Sequence, residues 1–161
     1  MKEQSPINKY KEFLPSIKNI EIIDFGLKRT DLVETKELSR WLGVKKCYLK
    51  LETTHPTKTV KDRATEVLFN YLIHKNIKSY SQASTGNCGT SFAWGAKFMP
   101  KDFKLTLFIP EKQLKYFNCE PNEKTQFLML KNATFDDSID YNNYYFSKVL
   151  GHSPELKKEL T

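Results

Sequence analysis

Cysteine, histidine and glycine are scarce in this chain of 161 residues, which has three cysteines, three histidines and six glycines. Cys47, Cys88 and Cys119 form neither an even-numbered disulfide framework nor a CxxC pair, a pattern that fits a reducing compartment and disfavours export. With the histidines scattered as well, no cluster has metal-ligand spacing and no metal is expected. There is no stretch of 18 apolar residues, which excludes a helix that spans a membrane. Met1 to Phe13 interleaves lysine and glutamate and lacks the apolar core of a signal peptide, so a cytoplasmic protein without a membrane partner is expected. Neither a GxxxxGK[ST] loop nor a GxGxxG fingerprint occurs, and no internal repeat is visible.

What is present points to a folded domain. Hydrophobic residues make up 39% of the chain and aromatics 13%, too many and too evenly spread for an unfolded chain. The length suits one domain with its own core. Lysine and arginine number 26 against 19 acidic residues, a formal net charge of +7. The lysines are dispersed, with no zinc-finger spacing and no RNA-binding aromatic signature, so a solvated surface is expected rather than a nucleic-acid footprint. A basic field of this kind also suits an anionic ligand.

Residues 1–20 are polar, contain Pro6 and Pro15, and read as a loose arm with one short helical piece; residues 21–161 read as a single α/β domain. Glu21 to Phe25 predicts a short strand closed by Gly26. Val33, Leu38, Trp41 and Leu42 suit one helical face ended by Gly43. Lys46 to Glu52 predicts a strand. Val60, Ala64, Val67, Leu68, Tyr71 and Leu72 recur three and four apart and predict a helix starting close to Thr59. Strands are expected at Ser79–Ala83, Lys104–Ile109 and Phe127–Leu130, with an alanine-rich helix running to Phe98 and a last helix over Phe135–Leu150. Alternating strands and helices predict an open, mostly parallel sheet with helices on both faces.

Two segments carry candidate chemistry, because their polar residues sit where strand, loop and helix meet. In His55-Pro-Thr-Lys58-Thr-Val-Lys61-Asp-Arg63, Lys61 stands in the first helical turn, where the helix dipole opposes a cation and favours the free amine that attacks carbonyls. Asp62 and Arg63 either pair with each other or cap locally. In Ser84-Thr-Gly-Asn-Cys-Gly-Thr90, hydroxyls, an amide and backbone N–H groups converge at a helix N-terminus. That arrangement suits a carboxylate or phosphate, or forms an ordinary capped turn with Ser84 or Thr85 as N-cap. His74 and His152 are expected at the surface, and Trp94 in the core or at a subunit contact rather than stacked on a cofactor.

In this order and at this spacing the two segments resemble the fold type II (tryptophan-synthase-beta-like) pyridoxal-phosphate enzymes. Thr54 to Arg63 is similar to the family pattern N-P-T-G-S-F-K-D-R, and Ala83 to Ser91 to its A-S-S-G-N-T-G-A-S. Leu107 to Glu111 and Phe135-Asp-Asp-Ser138 look most like threonine synthase. The resemblance implies the N-terminal half of the family fold and pyridoxal 5'-phosphate as cofactor. The chemistry it implies is lyase-like replacement or elimination at the beta or gamma carbon of an amino-acid substrate. By the same resemblance Lys61 holds the cofactor and moves protons at substrate carbons, and Asn87 donates to the cofactor's ring hydroxyl; Lys58, a cofactor-binding candidate standing where the family has glycine, either reaches the cofactor phosphate or blocks entry. Ser84, Thr85, Gly86, Asn87 and Cys88 grip the substrate carboxylate. The chain departs from the pattern at His55, Lys58, Thr59 and Val60, where asparagine, glycine, serine and phenylalanine are usual. The family's glycine-rich phosphate loop lies in its later half, and after Gly95 this chain has only Gly151. A homo-oligomer or a complementary second chain is therefore expected to complete the enzyme. The alternative is a non-catalytic relative that serves in binding or assembly.

Overall fold

Lys104-Leu-Thr-Leu-Phe-Ile-Pro110 is apolar on both faces, as the centre of a parallel sheet requires. In the computed structural model, which describes residues 5–153, 155 and 156, this run is the middle strand β4 (Lys104–Pro110) of a three-stranded parallel sheet. It pairs with β3 (Ser79–Ala83) from Ser79↔Lys104 to Ala83↔Phe108, and with β5 (Thr125–Leu130) from Leu105↔Thr125 to Pro110↔Leu130. A separate antiparallel pair joins β1 (Leu32–Glu34) to β2 (Tyr48–Lys50), with Val33 opposite Leu49 and the short helix α2 (Lys36–Leu42) between them. Gly43 ends α2 in the left-handed conformation, φ 66°, which a residue without Cβ adopts freely.

Strand alternation sends Leu105, Leu107 and Ile109 to one face, where they are buried with Phe69 and Leu72 of α3 (Lys61–His74) and Phe92 of α4 (Asn87–Gly95). Phe108 points the other way and meets the Tyr145 ring edge-on at 5.3 Å, in the π-helical turn Tyr145–Val149 that continues α5 (Phe135–Tyr144). Helix α5 lies against β3 and β4. The α/β architecture is thus the expected one. Gly95 lets α3 and α4 touch: a Cβ there would stand 2.4 Å from Thr65 Cγ2, and beside it the Thr65 and Ser91 hydroxyls share a buried hydrogen bond of 2.6 Å.

Several local expectations are corrected. Glu21–Phe25 forms no strand. Its backbone is paired by side chains of α3 instead: Asn70 accepts from Ile23 N (2.7 Å) and donates to Ile23 O (3.0 Å), and Glu66 accepts from Phe25 N (2.9 Å). Leu32–Glu34 is a strand rather than the start of a helix, because β2 offers it a partner, and α2 begins only after Thr35. Of the expected arm, residues 1–4 lie outside the described residues, and residues 5–20 are not loose. The short helix α1 (Pro6–Tyr10) and the turns after it bury Ile7, Ile17 and Ile20 against Tyr71 of α3. His152 is not free at the surface, since its Nε2 lies 2.8 Å from Ser79 O and its ring packs on Phe146.

Candidate active site

The turn that leads into α3 is tied at both ends. Asp62, fully buried, accepts from the backbone N–H of Thr57 at 2.8 Å and from the Thr57 hydroxyl. Lys58 N donates to His55 O at 2.9 Å, and Lys58 itself takes φ 60°, the left-handed region where the family pattern has glycine. Thr59 is buried and its hydroxyl accepts from Lys61 N at 3.3 Å, which fixes Lys61 as the first residue of the helix. Asp62 and Arg63 do not pair with each other. Arg63 reaches back to Glu52, donating from Nε at 2.9 Å and Nη2 at 3.2 Å. Glu52 also accepts from the Thr30 hydroxyl at 2.8 Å and stands 2.8 Å from Nε2 of the buried His55. The Arg63 guanidinium, with these further donors, holds the Glu52 carboxyl down at about 2. The network anchors the base of the lysine turn.

Opposite lies the loop at the C-terminal end of β3. Ser84 N bonds to Phe108 O, so the loop leaves directly from the sheet. The Ser84 hydroxyl is buried and accepts from Gly89 N at 2.7 Å and Gly86 N at 3.3 Å, so it satisfies a first-turn N–H of α4 from outside the helix, whose N-cap position is Gly86. Glycine at 89 is required by close approach, because a Cβ there would lie 2.4 Å from Phe117 Cε1 and 3.0 Å from Ser84 Cβ. Asn118 N donates to the Thr90 hydroxyl at 3.3 Å. The segment after β4, with its 3-10 helix Glu111–Tyr116, is thereby clamped onto the loop.

These two pieces face one open hollow of about 540 Å³, lined by Lys61, the whole 82–88 segment, Tyr116 and Phe135. Lys61, Ser84, Thr85, Gly86, Asn87 and Cys88 are therefore brought together as expected, whereas Lys58 is exposed and does not line the hollow. Burial pushes the Cys88 thiol up, and the nearby Lys61 charge works in the opposite direction. Gln82, Ala83, Tyr116 and Phe135 are the lining residues that were not among the candidate site residues. The closely spaced Gly86 and Gly89 signalled that some group packs tightly there, but only the topology says that it is Tyr116 and Phe117. His55 lies behind the turn with Glu52. Among the described residues, no group of three His, Cys, Asp or Glu could hold a metal ion.

The donor set fits the aldehyde and ring end of pyridoxal phosphate. It provides a primary amine, an exposed amide at Asn87, a half-exposed hydroxyl at Thr85 and the N-terminus of α4, around a hollow that is open to solvent. Lys61 is the one cation among the described residues lining it, so the phosphate end has no cradle there.

Comparison with known proteins agrees. A family model described as pyridoxal-phosphate dependent enzyme matches residues 23–132. Threonine synthase of Halalkalibacterium halodurans is 32% identical over 108 residues, covering 67% of this chain and 30% of that protein. Threonine synthase of Methanocaldococcus jannaschii is 30% identical over 92 residues, covering 57% and 23%. Among solved structures, diaminopropionate ammonia lyase from Escherichia coli, in complex with an aminoacrylate-PLP azomethine reaction intermediate, superposes with a TM-score of 0.66 at 16% identity, covering 91% of this chain and 41% of that one. Maize serine racemase gives 0.62 at 16% identity, covering 92% and 43%. The chain thus spans less than a third of the length of the curated relatives it matches. With the family model matching well over half of its residues, the chain belongs to the pyridoxal-phosphate-dependent enzyme family.

Proposed function

We propose that this chain forms the N-terminal part of a threonine-synthase-like pyridoxal-phosphate enzyme of the cytoplasm, acting by replacement or elimination at the beta or gamma carbon of an amino acid. The observation that carries this reading is the shared hollow, in which the amine of Lys61 faces the 84–88 loop. When bound, pyridoxal phosphate supplies an electron sink for bonds at the substrate's alpha carbon. Lys61 is the residue that holds it and that takes and returns the alpha proton. The Asn87 amide donates to the ring hydroxyl. The Thr85 hydroxyl and the backbone N–H groups opening α4 receive the substrate carboxylate, where the dipole of a nine-residue helix favours an anion. The Ser84 hydroxyl, already accepting two loop N–H groups, holds that loop in shape. A neutral Cys88 thiol adds no negative charge to repel the carboxylate.

A second copy or a complementary chain provides the phosphate partner that the lining residues lack. Exposed Phe135 at the hollow and exposed Met129 in β5 support such an assembly. The test is titration of the purified protein with pyridoxal phosphate, followed by borohydride reduction and peptide mapping. A visible absorbance band that grows with protein concentration, is absent in Lys61→Ala, and marks Lys61 in the map is the expected result. Labelling scattered over surface lysines, with the same spectrum in the variant, overturns the reading.

A further inference from the structure

A second concavity, of about 630 Å³, opens on the other side of α3 from the Lys61 hollow. Four separate segments bring cations to it: Lys9 from α1, Arg29 from the irregular segment before β1, Lys50 from β2 and Arg63 from α3. Glu52 is the one acid among the described residues lining it, and both of its oxygens are already taken. Oε1 accepts from Thr30 and Arg63, while Oε2 accepts from Arg63 and faces His55. Four positive charges against one satisfied carboxylate leave an excess of three within a groove. Concave walls of low dielectric concentrate such a field, so an anion gains more here than beside dispersed surface lysines. No described carboxylate makes an ion pair with Arg29, Lys50 or Lys9; Lys50 donates to a backbone oxygen of Thr30, and Lys9 lies over the Tyr10 ring. Tyr10, half exposed, and Leu32 give the same groove an apolar wall.

We propose that this groove is a binding site for a small molecule bearing a di- or polyphosphate, separate from the Lys61 hollow. A carrier of several negative charges within a few ångströms matches four converging cations, and the guanidinium of Arg29 offers paired donors to phosphate oxygens. The site shares Arg63 and Glu52 with the network that anchors His55 and, through His55 O, the Lys58 backbone. Occupancy is therefore felt at the turn that carries Lys61.

Inorganic pyrophosphate, titrated calorimetrically into the full chain, is the probe. Arg29→Gln alone and Arg29→Gln with Lys50→Gln remove exposed charges and leave the half-buried Glu52–Arg63 pair intact. Lys101→Gln with Lys131→Gln removes the same net charge away from the groove. The expected result is a loss of about tenfold in affinity for the double groove variant, a smaller loss for Arg29→Gln, and near-constant affinity for the control pair. Lys61→Ala should bind pyrophosphate like the parent chain, which keeps this result independent of the cofactor titration. Equal losses in groove and control variants, loss in Lys61→Ala, absence of binding to the parent chain at millimolar probe, or tighter binding of citrate than of pyrophosphate would each overturn the proposal.

Discussion

Lys58 is the residue at which this chain pays for something. Its φ of 60° is costly for a side chain with a Cβ, and the turn is otherwise built as tightly as one with glycine, with Asp62 holding Thr57 from both donors. Lys58→Gly should raise the unfolding free energy by about 0.5–1 kcal/mol, part of the relieved strain being offset by the entropy of glycine in the unfolded chain. A shift of the urea midpoint to higher concentration at unchanged slope checks it. Glu66 is strained in another way. Burial raises its carboxyl to about 7, although it accepts from Phe25 N. Because the folded value lies above the ordinary 4.5, the protonated side chain stabilises the fold below pH 4.5 and that contribution fades as pH rises through 7. Glu66→Gln keeps an acceptor for Phe25 and cannot ionise. It should match the parent chain near pH 4 and exceed it by on the order of 3 kcal/mol near pH 8. Denaturation curves at the two pH values decide, and an equal effect at both would discount the ionisation. Glu52 has the opposite sign, its stabilisation being lost as pH falls from 4.5 towards 2.

At the scale of elements, the contact of α3 with α4 depends on the missing side chain at 95. Gly95→Ala adds helix propensity worth about 1 kcal/mol, yet it should destabilise by about 2 kcal/mol because overpacking against Thr65 Cγ2 outweighs propensity. Adding Thr65→Ser removes the obstructing methyl, keeps the hydroxyl for Ser91, and should restore most of the lost melting temperature. The elements themselves were legible to differing degrees. The apolar run of β4 and the three-and-four spacing of α3 declare themselves within one segment. Glu21–Phe25 has the composition of a strand, but a strand also needs an edge to pair with, and the side chains of Asn70 and Glu66, more than forty residues away, occupy that role. Trp41 looked like part of a buried stripe and is 81% exposed, since α2 is framed by a two-stranded ribbon rather than by the main sheet.

For the whole molecule, residue patterns alone left both polar segments with bland alternatives, a charged helix start and a capped turn. The N-cap position falls to Gly86 rather than to Ser84 or Thr85, yet the Ser84 hydroxyl still accepts from Gly89 N, and this turn stands at the hollow rather than instead of it. What the order of motifs added was that the two segments belong together, and the sheet topology supplies the reason. The chain runs from α3 up β3, so the end of β3 and the start of α3 arrive on the same side. Arg29, Lys50 and Lys9 were legible only as scattered charge, because their meeting depends on how the hairpin and the first helix fold back along α3.

The β1–β2 ribbon described above gives the molecule two mechanical tempos. All six of its strand residues are exposed, while five successive residues of β4, Leu105 to Ile109, are buried. A unit with so little apolar burial opens at a small fraction of the global unfolding free energy. The ribbon, α2 and the adjoining Lys50 can therefore swing away and return many times while the sheet and the walls of the Lys61 hollow keep their shape, so that the groove breathes on a faster clock than the site it adjoins.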